Sequence, residues 1–305
     1  MNQEEVVFDI NETIEQSLTS VLNPGLKKTL ENFKTRVTQI SSGNSLAFIV
    51  MHQGLTYYKL LRYWMEESVK ISGFNKETPE HMETLHQLIN ERFKSEMNNN
   101  YEQAFKSVQE FRKQDKDFWD ASYNNSLNSL VNIWTAFETT IKTLWVYSLD
   151  NHPKLFINEV LSQKGSNEII GIEGKNISIG LLAKYDFNIS NCLGSVLYKK
   201  FDFTSINGII RCVQALLGEN NSVKIALDYT ELRQLEIIRN VIVHSSGFID
   251  NDYIQKTTRK HGKIGERINL SIEEMRTYGD SCLYPTIIFT QELDKFINEA
   301  FAKNS

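Results

Sequence analysis

Three residues near the end of one apolar-striped segment have the chemical types needed to act on a phosphodiester. They are Arg239, Asn240 and His244, set in the run LRQLEIIRNVIVHSSGFID over residues 232–250. A guanidinium can hold a phosphate through two parallel hydrogen bonds. An imidazole can move a proton near neutral pH. Asn240 and His244 are four residues apart, about 40° of helical turn, so they share a face. Arg239 lies roughly 140° from His244, and only its long side chain reaches towards the same point. The plainer account of the same residues is a surface Arg and Asn, with a His that complements the dipole in the last turn of a helix.

The elements that must position this trio are helices. Leu232, Leu235, Ile238 and Ile242 recur at three- and four-residue steps, which predicts a helix over 226–245 closed by Gly247 as a left-handed cap. Residues 116–150 predict a long helix with a broad apolar face of Leu127, Leu130, Trp134, Phe137, Ile141, Leu144 and Trp145. Glu138 stands beside that face. Further helices are expected over 188–199 and 204–217. Ser271 and Glu274 form a capping box that opens a helix running to the C-terminus, with a break or kink at Pro285. Residues 1–115 also read as helices. Pro24 and Pro79 sit in first turns, and Thr78 could cap the second. Gly43 and Gly73 lie outside the ends of a helix over 46–71, and Asn98, Asn99 and Asn100 can interrupt a long one over 80–113. Residues 164–184 are rich in Gly, Asn and Ser and read as a loop with room for a two-stranded hairpin. The expected fold is all-α with at most that one small hairpin. A domain boundary is expected near residue 115, where KQDKD interrupts the apolar pattern.

An Arg followed by a polar residue, with a His five positions after the Arg, closing an apolar helix and running into HSSGFID, resembles the signature of the HEPN superfamily. These all-helical domains include many ribonucleases of prokaryotic toxin and phage-defence systems. The resemblance covers residues 116–305, and residues 1–115 resemble no named family. It implies a HEPN-like helical bundle with an additional N-terminal helical region. It implies that Arg239, Asn240 and His244 are catalytic, with Ser245 supporting them. HEPN domains often carry an acidic residue on the preceding long helix near the active Arg, which makes Glu138 the candidate to orient Arg239; an exposed helix glutamate is the other reading of it. The activity implied is metal-independent cleavage of RNA, for example tRNA or mRNA, to 2′,3′-cyclic phosphate and 5′-hydroxyl ends at a homodimer interface, without a cofactor. An antitoxin or defence-system protein is the implied partner. A non-catalytic dimerisation or ligand-binding module is the alternative. Some HEPN domains are modified on a Tyr two residues after the His, but here that position is Ser246.

Charge and composition bound these expectations. The chain has 305 residues, enough for one large or two medium domains. Its net charge of −5 gives no global attraction to nucleic acid, so RNA would need a local basic patch. Residues 252–268 hold the densest basic run: Lys256, Arg259, Lys260, Lys263 and Arg267, with His261 among them. This run is either a phosphate-binding wall or a solvated loop. Three cysteines at no metal-like spacing, and an acidic start unlike a signal peptide, lead to the expectation of a reduced, cytoplasmic protein. The longest apolar run, residues 46–51, is too short to cross a bilayer. His81 and His86 lie five apart, off the spacing that puts two metal ligands on one face. The chain has no phosphate-loop, HExxH, paired CxxC or GxSxG motif.

Overall fold

The computed structural model describes residues 11–71, 79–156, 179–188, 190–219 and 221–303. The described residues are helical, with no strand among them, so the fold is all-α. Thirteen α-helices are described: α1 (Asn11–Ser20), α2 (Pro24–Asn44), α3 (Leu46–Ile71), α4 (Pro79–Gln114), α5 (Lys116–Asn151), α6 (Ile179–Ala183), α7 (Leu193–Leu197), α8 (Ile206–Leu217), α9 (Ser222–Leu227), α10 (Thr230–Ser245), α11 (Asn251–Lys256), α12 (Ile272–Asp280) and α13 (Leu283–Lys303). A short 3₁₀ turn (Tyr198–Lys200) follows α7. The hairpin expected within 164–184 falls mostly on residues outside those described, as do Gly73 and Thr78. Among the described residues no helix is long and apolar enough to cross a membrane.

Several helix ends follow local chemistry. Pro24 and Pro79 open α2 and α4, where their missing N–H groups lose no bond. Ser271 and Glu274 complete the capping box of α12. Other boundaries differ from expectation. The three asparagines 98–100 lie inside α4, whose backbone runs through them. Helix α3 spans Leu46–Ile71 as expected, and Gly43, outside its start, belongs to the last turn of α2. The C-terminal helix breaks at Ser281 and Cys282, and Pro285 sits in the first turn of α13, where it is tolerated. The expected helix over 188–199 is reduced to α7 and its 3₁₀ turn.

The chain forms two compact units, residues 1–41 with 126–305 and residues 42–125. Residue 115 is the junction between α4 and α5, whereas the units divide ten residues later and again after residue 41. In the smaller unit α3 packs along α4. Tyr63 of α3 meets Leu85 and Ile89 of α4, and Ala104 and Val108 of α4 form a second cluster with Met51, Leu55 and Phe118.

The larger unit holds the main core. Trp134, Phe137 and Trp145 of α5 are almost fully buried, as are Ile206 and Val213 of α8, Leu232 and Leu235 of α10, and Phe289 and Leu293 of α13. The Trp145 N–H donates to the Cys212 carbonyl over 2.9 Å, which ties α5 to α8 inside the core. Gly194 lets α7 approach α5, because a Cβ there would lie 2.4 Å from the Val146 carbonyl oxygen. The first helices join this unit through buried polar contacts. The Asp294 carboxylate of α13 accepts the backbone N–H groups of Leu22 (3.1 Å) and Asn23 (2.7 Å). Asn23 caps α2 and also accepts the Tyr147 hydroxyl of α5 at 2.9 Å.

Candidate active site

Helix α10 carries the trio. Its buried stripe is Leu232, Leu235, Ile238 and Val241, with Ile242 only half-buried. The stripe therefore steps by three residues at its end. The expected start at 226 also moves: residues 222–227 form a separate helix, α9, and α10 begins at Thr230. The left-handed turn that closes α10 starts one residue earlier than expected, with Ser246 at φ 53° and Gly247 at φ 82°.

Arg239 leaves the helix towards α5. Its Nη1 donates to Asn240 Oδ1 over 2.9 Å, and its Nη2 lies 3.9 Å from Glu138 Oε1. The two charged side chains are 21% and 14% exposed. Arg239 Nε is buried with no hydrogen-bond partner. A guanidinium offers five N–H donors, and this one is far from saturated. Glu138 is held in turn by the Trp134 indole N–H one helical turn away. Burial raises the Glu138 carboxyl above its ordinary range, while Trp134 and Arg239 pull it back and the charges of Asp202 and Glu236 push it further up. Glu236 is also raised, chiefly by burial, while it accepts the Ile206 N–H at 3.0 Å. Asp202 is lowered: burial opposes its charge, but Ser205 and Thr204 hydrogen bonds outweigh it. Arg239 thus sits near Glu138 and Glu236, and Asp202 acts on both of these glutamates; the sequence left Glu236 and Asp202 unmarked. Glu236 precedes Arg239 by three residues, a helical neighbour spacing that could have pointed to it. Asp202 arrives through the fold and has no local signal.

His244 is exposed and makes no hydrogen bond among the described residues. No contact joins it to Arg239, consistent with their angular separation on the helix. Asn240 links the two, because it accepts from Arg239 and shares the face of His244. Ser245 turns the other way, donating to Asp250 over 2.9 Å. Asp250 caps α11 by accepting the Tyr253 N–H at 2.8 Å, and these two bonds, the backbone one first, lower its carboxyl. Ser245 therefore fixes the exit of α10 and is not seen to touch His244.

The basic run divides. Lys256 pairs with Asp252 at 2.8 Å, and Arg259 lies 3.8 Å from Glu231. Lys260 and Lys263 are exposed, with no ion pair among the described residues. Arg267 is half-buried and pairs through its backbone with Phe248 as an isolated antiparallel bridge. His261 is buried, contrary to its place in a basic surface run. Its Nδ1 meets the Tyr253 hydroxyl, and its Nε2 lies 3.2 Å from Glu274 and 3.5 Å from the Tyr278 hydroxyl. This cluster pins the loop after α11 to α12.

The thiols of Cys192, Cys212 and Cys282 are free and buried, and burial pushes that of Cys212 up to about 12. Such thiols are poor nucleophiles at neutral pH. No cluster of three or more metal-ligating His, Cys, Asp or Glu residues occurs among the described residues. Comparison with protein-family models, curated proteins and solved structures finds no match for this chain.

Proposed function

We propose that this protein is a HEPN-like endoribonuclease that cleaves RNA at a homodimer interface, within a toxin–antitoxin or anti-phage system. One observation carries the reading. A half-buried, under-partnered guanidinium is held by Asn240 and Glu138 on the helix whose end presents an exposed, unbonded imidazole. A buried donor without a partner costs free energy unless a ligand completes it. A phosphate oxygen is a suitable ligand for a guanidinium.

Cleavage needs a base to take the 2′-hydroxyl proton, an acid to protonate the departing 5′-oxygen, and positive charge at the phosphorane. The attacking 2′-oxygen then closes a 2′,3′-cyclic phosphate and the 5′-oxygen leaves as a hydroxyl. Within the larger unit the other histidines are engaged or enclosed. His261 is in its tyrosine–glutamate cluster, and His152 is half-buried with its Nε2 enclosed. A two-fold axis supplies the second imidazole from a second His244. Arg239 stabilises the phosphorane and Asn240 orients it.

The test is incubation of purified protein with total RNA, with mapping of the 3′ ends. His244→Ala is expected to abolish cleavage and to leave folding unchanged, because the side chain is exposed. Cyclic phosphate ends that persist in His244→Ala would discard the ribonuclease assignment. A wild-type protein that binds RNA without cutting it would favour the ligand-binding module.

A further inference from the structure

The smaller unit carries an apolar face on α3 that is exposed among the described residues. On α3, Leu46, Val50, Tyr57, Leu61, Trp64 and Met65 are all exposed, from 46% to 67%. At 100° per residue they fall in a stripe about 100° wide, centred roughly 150° from Tyr63, which packs on α4. Single exposed apolar residues need no explanation. A continuous stripe along a helix of 26 residues does.

We infer that this stripe is a self-association surface, on which α3 of a second copy packs antiparallel. Three observations select that occupant. First, the stripe complements itself. Reflection about the midpoint between Leu55 and Thr56 puts Leu46 of one copy opposite Met65 of the other, and Val50 opposite Leu61. The same reflection puts Gly54 opposite Tyr57. A Cβ on Gly54 would meet nothing within 4 Å, so the glycine leaves open space where the facing ring fits. Gln53 then faces the Tyr58 hydroxyl. Second, the chemistry excludes charged ligands. Residues 46–58 contain no Asp, Glu, Lys or Arg. Further along, Arg62 pairs with Glu66 at 2.6 Å, and Arg92 with Glu66 and Glu67 at 2.9 and 3.1 Å. A membrane-surface helix would need a basic polar face, and the opposite face of α3 is packed on α4. Third, the stripe runs from Leu46 to Met65, about 29 Å at ~1.5 Å per residue, a length over which two helices can pack side by side. Two α3–α4 pairs meeting this way make a four-helix arrangement across a two-fold axis.

The inference does not depend on the catalytic proposal, and the experiment keeps the two apart. Light scattering of the full chain at micromolar concentration is expected to give an even number of chains. Val50→Glu and Leu61→Glu should each halve the measured mass with helical circular dichroism retained, whereas His244→Ala should not change it. The double variant V50E/L61K should restore the mass, because each new carboxylate then faces a new ammonium. As a gentler probe, oxidised Gly54→Cys/Tyr57→Cys should run as a covalent dimer, since the three native cysteines are buried. A monomeric wild type, or an unchanged mass in both Glu variants, overturns the self-pairing. A monomer that instead floats with anionic vesicles overturns it too and assigns the stripe to lipid. A double variant that stays dissociated overturns the antiparallel register.

Discussion

At the residue scale, the arrangement around Arg239 explains how one buried cation can be both costly and useful. Its partners hold it in one rotamer without saturating its donors, which is the condition for binding a phosphate without reorganisation. In the proposed reaction Glu138 contributes position rather than proton transfer. Glu138→Gln should keep the indole hydrogen bond through its amide oxygen and remove the counter-charge of Arg239. We expect kcat to fall more than KM rises, by about tenfold for a positioning residue, while Glu138→Asp recovers part of the loss. The same substitution carries a stability signature. Burial, first among the causes, raises the folded Glu138 value above its ordinary 4.5. The fold therefore favours the protonated carboxyl. Its contribution is fully present below the ordinary value and is lost as pH rises through the raised one. Urea denaturation of the wild type and Glu138→Gln from about pH 4 to 7 should show the variant gaining relative stability as pH rises. A constant difference would mean that the carboxyl is not buried enough to matter. Arg239, Asn240 and His244 were legible because the motif is local. The nearby carboxyls of Glu236 and Asp202 were not, because in sequence they look like ordinary surface acids.

At the element scale, helix type and most helix starts were legible because caps and prolines act within one turn. What packing decides was not. The stripe of α10 ends on Val241, and Ile242 stays half-buried, because the buried face depends on the neighbouring α12 and α11. The basic run after α11 reads as one surface in sequence. In the fold His261 folds inward, and Lys260 and Lys263 are exposed with no ion pair among the described residues. This sharpens the RNA-binding expectation. Changing Lys260 and Lys263 to Ala should weaken RNA binding and flatten the slope of log affinity against log salt by about two phosphate contacts. Lys256→Ala should do less, because its charge is already matched by Asp252. Filter binding between about 50 and 200 mM salt measures both. An unchanged slope in the Lys260/Lys263 variant would place the RNA elsewhere.

At the scale of the whole molecule, the first helices were read with residues up to 115, but α1 and most of α2 belong with the C-terminal helices. The reason is non-local. Asp294 and Tyr147 meet the turn before α2, and no pattern within residues 11–44 announces partners that far along the chain. The same limit applies to the proposed catalytic dimer, since the described residues of the larger unit show one exposed imidazole and nothing in the sequence counts copies. Subunit mixing tests this directly. If each cleft needs His244 from both chains, only dimers of two wild-type chains cut RNA. Co-expression of differently tagged wild-type and His244→Ala chains, with the variant in about ninefold excess, should then lower activity per wild-type chain by about tenfold, because most wild-type chains sit in inactive heterodimers. Co-expression avoids reliance on subunit exchange. The Val50→Glu background should give the same result, because α3 pairing is a different contact from the one that joins the histidines. Activity that stays proportional to the number of wild-type chains would mean that one chain completes the site alone. The acid would then have to come from a group other than a second His244.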